Sequence, residues 1–340
     1  MGVFRRTAVV KHLRKNLRMK LILKIFKWIG KIIAGILILI LISGLCFRLF
    51  SSKPISPRKL VDVNGTKLHI RTEGQKNHLP TLVLESGAGN DTDVFHWIAE
   101  GLKKNMRVVR YDREGKWFSE SSKDSITPEF YARQLHSLLK KNGEKPPYIL
   151  VGHSMGGPYN RIFRDLYPNE VKGMVFLDSS HPEQWKRLAE NGLFEKNQIS
   201  LIKTLAVLSD MGIMGVYNSI SNPKSMDEDL PKECQNRKHN LTSYSGKVYR
   251  RYLKENRINN DILLRASQSS SLDSLPVLVF TAKEQYGDSQ IWYEMQKELK
   301  ELSTKGKQFY IDANHGSIIT KKENAEIINK EILIMAKKVK

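Results

Sequence analysis

Residues 148–157 read Tyr-Ile-Leu-Val-Gly-His-Ser-Met-Gly-Gly, an apolar run that meets a glycine-bracketed serine and passes directly into a helical pattern. A short continuous apolar run bounded in this way is what a strand covered on both faces requires. Gly152, Ser154 and Gly156 have G-x-S-x-G spacing, in which a strand turns abruptly into a helix and leaves the serine hydroxyl exposed at the apex. Side chains at the flanking glycines would crowd so tight a turn. The rest of the chain has to build layers around that strand and that helix.

The flanking sequence supplies them. Short β-like runs at Lys59–Val63, Lys67–Arg71, Thr81–Glu85 and Met106–Tyr111 come first, with Asn64-Gly65 as a hairpin turn between the first two. Helical spacing marks Val94–Lys104, Pro128–Lys141 and Met155–Leu166, with Thr127 as a cap ahead of Pro128. Val171–Leu177, Pro276–Phe280 and Gln308–Ile311 are further strands, and Lys322–Lys338 is a closing helix. Strands alternating with helices predict an α/β fold with a mostly parallel central sheet covered on both faces. Regularity weakens over 180–270, where polar helical stretches, glycines near Met211–Gly215 and a loop-like Ser221–Asp229 indicate an inserted subdomain. Met211, Ile213, Met214, Val216 and Tyr217 in it either line a pocket or pack against the core.

The amino terminus follows a different logic. Residues 1–60 hold fourteen Lys or Arg and no Asp or Glu, so the net charge of +21 falls to +7 over 61–340. The basicity belongs to a terminus and excludes a basic nucleic-acid-binding domain, for which no aromatic and basic stripe is present. From Ile32 to Phe47 sixteen uncharged residues lie between Lys31 and Arg48, and Trp28–Phe50 is long enough to span a bilayer. Ten basic residues precede this run and four follow it, which predicts a single pass with a cytoplasmic amino terminus and the bulk of the chain outside. A processed leader is the alternative, though no small-x-small cleavage site follows the run. The Lys-rich tail and the anchor together suggest a prokaryotic plasma membrane. The expected division is a basic segment at 1–27, a transmembrane anchor at 28–50, a linker at 51–59, core at 60–179 and 271–340, and the insertion at 180–270. Cys46 and Cys234 fall in separate regions, which argues against a disulfide scaffold.

With the serine turn placed between a strand and a helix, with Glu85-Ser86-Gly87-Ala88-Gly89 and Tyr111-Asp112-Arg113-Glu114-Gly115 each after a strand, and with Asn314-His315-Gly316 near the end, the chain resembles the α/β-hydrolase superfamily over about 60–338. The likeness is to its esterase, lipase and peptidase-like serine hydrolases, and it implies that the insertion is a helical lid. It implies Ser154 as nucleophile, His315 as its base, and the backbone N–H groups of Met155 and Ala88 as an oxyanion hole. Ser86 stands where many relatives carry histidine. His153 is expected to be directed away from the reacting atoms.

Three carboxylates compete for the third position. Asp178 closes the Val171–Leu177 strand and could accept the second imidazole N–H, fixing its tautomer. Asp288 lies nearer the position many relatives use, and Glu284 is a further alternative. The compact Gly-x-x-Asp arrangement common in the family is missing there, which favours Asp178. Asp112 and Arg113 read as organisers of adjacent loops. No phosphate-binding glycine loop and no H-E-x-x-H run occurs, so neither an organic cofactor nor a metal is expected. The implied activity is hydrolysis of a small acyl substrate, an ester with lipid esters included, with an amidase or short-peptide hydrolase and a non-catalytic surface ligand-binding protein as alternatives. Protein partners are not legible.

Overall fold

The computed structural model describes residues 2–58, 60–188, 195–221, 227–284 and 290–339; in the first helix, side chains are described for Asn16 and from Arg18 onward. That helix, α1, runs unbroken from Gly2 to Phe50. No proline interrupts it, so the basic segment expected ahead of the anchor continues the same helix. Arg18–Phe50 is long and apolar enough to cross a membrane, and almost none of its apolar stretch is covered by the rest of the protein.

Eight described strands form one sheet: β1 (Leu60–Val63), β2 (Thr66–Glu73), β3 (Thr81–Glu85), β4 (Val108–Tyr111), β5 (Tyr148–His153), β6 (Val171–Leu177), β7 (Val277–Ala282) and β8 (Gly306–Ile311). Their order is β1-β2-β4-β3-β5-β6-β7-β8. β2 runs against both its neighbours, and every other pairing is parallel. Asn64 and Gly65 both take positive φ, 53° and 82°, which is the two-residue hairpin expected of that pair. Strand β7 continues past Phe280 because Thr281 and Ala282 pair with Tyr310 and Ile311.

The two-residue period of β5 shows why the sheet is covered twice. Leu150 packs in one core with Leu135 and Leu138 of α3 (Pro128–Lys141) and Phe163 of α4 (Gly156–Leu166); α2 (His96–Leu102) lies on the opposite face. There Ile149 and Val151 join Ile98 and, from the carboxyl-terminal helix, Ile328 and Ile332. Between β6 and β7 lies the helical insertion: α5 (Gln184–Arg187), α6 (Lys196–Asp210), α7 (Ile213–Ser221), α8 (Lys232–Tyr244) and α9 (Lys247–Ser267). After β7 come α10 (Gln290–Glu301), α11 (Ser317–Thr320) and α12 (Lys322–Lys338).

The turn from β5 into α4 is as crowded as its glycines imply. A Cβ on Gly152 would lie 2.5 Å from the Gly156 carbonyl carbon, and one on Gly156 would lie 2.2 Å from the Glu85 carbonyl oxygen. Neither neighbour is a side chain able to swing aside. Gly156→Ala is therefore expected to cost about 1–3 kcal/mol or more, read as a lower urea midpoint at unchanged slope; an unshifted midpoint would contradict this packing.

Candidate active site

Asp178 is the first residue after β6, with φ +42° and its side chain wholly buried. Burying a carboxylate without partners is costly, and here each oxygen has one. Oδ1 accepts from the Ala282 amide at 3.1 Å and the Trp292 indole N–H at 3.0 Å. Oδ2 meets His315 Nδ1 at 2.7 Å. With Nδ1–H donated to the carboxylate, Nε2 is left as the ring's acceptor. His315 lies between β8 and α11 with one third of its side chain exposed. Glu284 is exposed, and its described hydrogen bond runs from its amide to the Ala313 carbonyl at 3.0 Å. Asp288 lies outside the described residues.

Ser154 sits at the apex between β5 and α4 with φ +53° and remains partly exposed. Left-handed backbone at a non-glycine residue is strained, and local hydrogen bonds hold it. Its amide donates to the Leu177 carbonyl at 3.2 Å, and its carbonyl accepts from the amides of Gly157 at 3.1 Å and Ser180 at 3.0 Å. His153, one residue earlier, donates from Nε2 to the His315 carbonyl at 2.8 Å, and the two rings lie 4.5 Å apart. The backbone of His315 is thus tied to the residue beside Ser154. None of the described hydrogen bonds joins the Ser154 hydroxyl to the His315 ring.

The loop after β3 passes over this turn, so close that a Cβ on Gly87 would stand 2.9 Å from that of Ser154. Four buried charged side chains hold the loop. Arg113 pairs with Glu85 and donates to the carbonyls of Ser86 at 2.6 Å and Gly87 at 3.1 Å. Lys116 donates to the Gly87 carbonyl at 2.9 Å. Glu255, from α9 of the insertion, accepts from the Gly89 amide at 3.0 Å and from Arg113 at 3.0 and 3.1 Å. Burial opposes ionisation of Glu255, yet Lys116, Arg113 and Arg251 hold its carboxyl down at about 2. Within the loop, the Ala88 amide donates in none of the described hydrogen bonds, and the same is true of Met155 at the start of α4. Asp112 and Arg113 organise loops as expected; Asp112 accepts from the Thr92 amide at 3.1 Å and contacts His69 at 2.8 Å. The parts played by Trp292, Lys116 and Glu255 were not legible in the sequence.

Comparison with known proteins identifies the fold. A family described as alpha/beta hydrolase fold matches residues 80–199. An enol-lactonase from Burkholderia xenovorans LB400 superposes with a TM-score of 0.55 at 21% identity, covering 80% of this chain and 97% of that one. The chain has the α/β-hydrolase fold. Among curated proteins, an uncharacterized protein, YbdG, of Bacillus subtilis is 29% identical over 174 residues, 49% of this chain and 53% of that protein. Monoacylglycerol lipase ABHD6 of Bos taurus is 28% identical over 144 residues, 38% of this chain and 42% of that protein. The chain spans about half the length of the first curated relatives it matches.

Elsewhere in this α/β-hydrolase-fold protein, His96, Glu233 and Cys234 bring ligand-type atoms within 4.8 Å of one another. Burial pushes the Cys234 thiol up to about 12, and Arg237 donates to its sulfur at 3.2 Å, so the group is poorly suited to a cation. At the serine turn, burial and then the neighbouring His315 hold His153 well below its ordinary value of 6.5. Below about pH 6.5 the unfolded chain takes up a proton that the folded protein refuses. Stability contributed by neutral His153 is complete above that pH and is lost as the pH falls toward the folded value. The urea midpoint should drop between pH 7.5 and pH 5.5, and His153→Gln should make that drop smaller; an equal drop in both proteins would contradict the assignment.

Proposed function

We propose that the protein is a membrane-anchored serine hydrolase that cleaves a carboxylic ester, a lipid ester included, through an acyl-serine intermediate. The observation that carries this reading is the buried Asp178 carboxylate against His315 Nδ1 at 2.7 Å, beside a strained serine turn. In the proposed cycle His315 Nε2 takes the Ser154 hydroxyl proton as Oγ attacks the ester carbonyl carbon. The carbonyl π electrons move to oxygen, where the Met155 and Ala88 amides stabilise the charge. Collapse breaks the carbon–oxygen bond, the imidazolium gives its proton to the departing alcohol, and water then releases the acid by the same steps. Asp178 stabilises the imidazolium, and the Trp292 and Ala282 donors fix the carboxylate in place.

The names of two similar proteins, a monoacylglycerol lipase and an enol-lactonase, denote acyl–oxygen substrates and support an ester over an amide. The anchor reading rests on α1, and the excess of basic residues ahead of its apolar run supports a cytoplasmic amino terminus with the hydrolase part outside a prokaryotic plasma membrane. Ser154→Ala and Asp178→Asn should each lower kcat on short-chain esters by about a thousandfold or more while the far-ultraviolet circular dichroism is unchanged. Near-parental rates in Ser154→Ala would reject the nucleophile. Faster turnover of matched amides than of esters would reassign the substrate class.

A further inference from the structure

The amino-terminal helix does more than precede the hydrolase part: it packs into the insertion. A Cβ on Gly44 would lie 2.6 Å from the Met211 carbonyl oxygen, and one on Gly212 would lie 2.3 Å from that of Gly44. The Phe47 ring lies over Gly215, whose added Cβ would stand 2.1 Å from it. The next residue, Arg48, hydrogen-bonds the Tyr244 carbonyl through its guanidinium and stacks 4.3 Å from the Tyr244 ring. Gly44 and Phe47 belong to the sixteen-residue apolar run, and Gly44 lies about 5 Å along the helix axis from its end. Whatever depth that run occupies, the turn between α6 and α7 shares it.

Around this seam the insertion exposes apolar side chains to the outside. Ile220 is 82% exposed, Leu201 60%, and Val207 and Tyr217 54% each. Leu201 and Leu208 on α6, and Met211 just past its end, recur at helical spacing, apart from the side on which Ala206 and Ser209 are buried. The axes of α6 and α7 meet at 90°, with α6 ending and α7 beginning at the seam. Lys196 and Lys203, also exposed, could extend their ammonium groups toward headgroups. Apolar side chains beside lysines, with a tyrosine among them, are the composition of helices lying in a membrane interface.

We propose that the α6–α7 elbow is a lipid-contacting surface, seated in the headgroup and upper acyl layer of the same leaflet in which α1 ends. The occupant is the bilayer because the patch is continuous with the lipid-facing surface of α1. The proposal rests on the reading that α1 spans a membrane. It makes the insertion an element fixed at the interface, through which an ester dissolved in that leaflet meets the site.

The test uses the full chain in phosphatidylcholine vesicles, with Cys46→Ser and an environment-sensitive fluorophore on a single introduced cysteine: Ile220→Cys, Ile38→Cys in α1, or Lys297→Cys on α10. Emission from the Ile220 position should fall by about half with lipids brominated near the headgroup, that from Ile38 should fall with lipids brominated near the chain end, and that from Lys297 should not respond. Quenching at Ile38 with none at Ile220 would overturn this proposal and leave the span standing. No quenching at either would overturn both readings.

Discussion

A carboxylate buried without any exposure at the end of a sheet strand is the constraint around which this site is built. Removed from water, Asp178 needs donors on both oxygens, and it finds them on three later parts of the chain: the end of β7, helix α10 and the loop after β8. The loop that carries His315 is thereby fixed to the sheet. The same loop is held a second time, at its backbone, by His153. A histidine buried enough to stay neutral suits that task, since its Nε2–H can donate to a carbonyl without bringing a charge to the serine turn.

The second constraint is the loop over Ser154. Its closeness to the serine leaves no room for a side chain at Gly87, so its shape has to be imposed from behind. Arg113 and Lys116 bind its carbonyls while Glu85 and Glu255 balance their charge. Buried ion pairs of this kind add little net stability, because desolvation offsets much of the attraction, but breaking one leaves a charge stranded. Their effect is positional. Glu255 comes from the insertion, so the placement of helix α9 and that of the loop are coupled through one carboxylate.

Much of this was readable in advance, and the limits of that reading are physical. Apolar runs and their two- and 3.6-residue periods mark β3, β5, β6, α3 and α12 to the residue or nearly so, because those elements are buried in ways that leave a local pattern. The glycines around Ser154 mark the turn because close approach excludes side chains there. Asp178, adjacent to a strand end, was legible as one of three acids; the contact with His315 follows from strand order, which no local pattern encodes. Glu255 and Lys116 were hidden for the opposite reason. Each lies in a charged stretch of ordinary solvent-facing appearance, and only the packing of α9 over the core takes them out of water. Ahead of the apolar run, Lys20, Lys24, Lys27 and Lys31 recur at helical i+4 and i+3 spacing, which marks helix there, but no local pattern shows that it extends unbroken from Gly2 to Phe50.

The central claim is that folding has made one hydroxyl reactive. Full-chain protein treated with a fluorophosphonate at neutral pH, digested and examined by mass spectrometry, tests it most directly. The account expects one phosphonylated peptide, the one containing Ser154, and expects Asp178→Asn to slow its formation. Modification that persists at another residue in Ser154→Ala, or none in the parent protein, would contradict it.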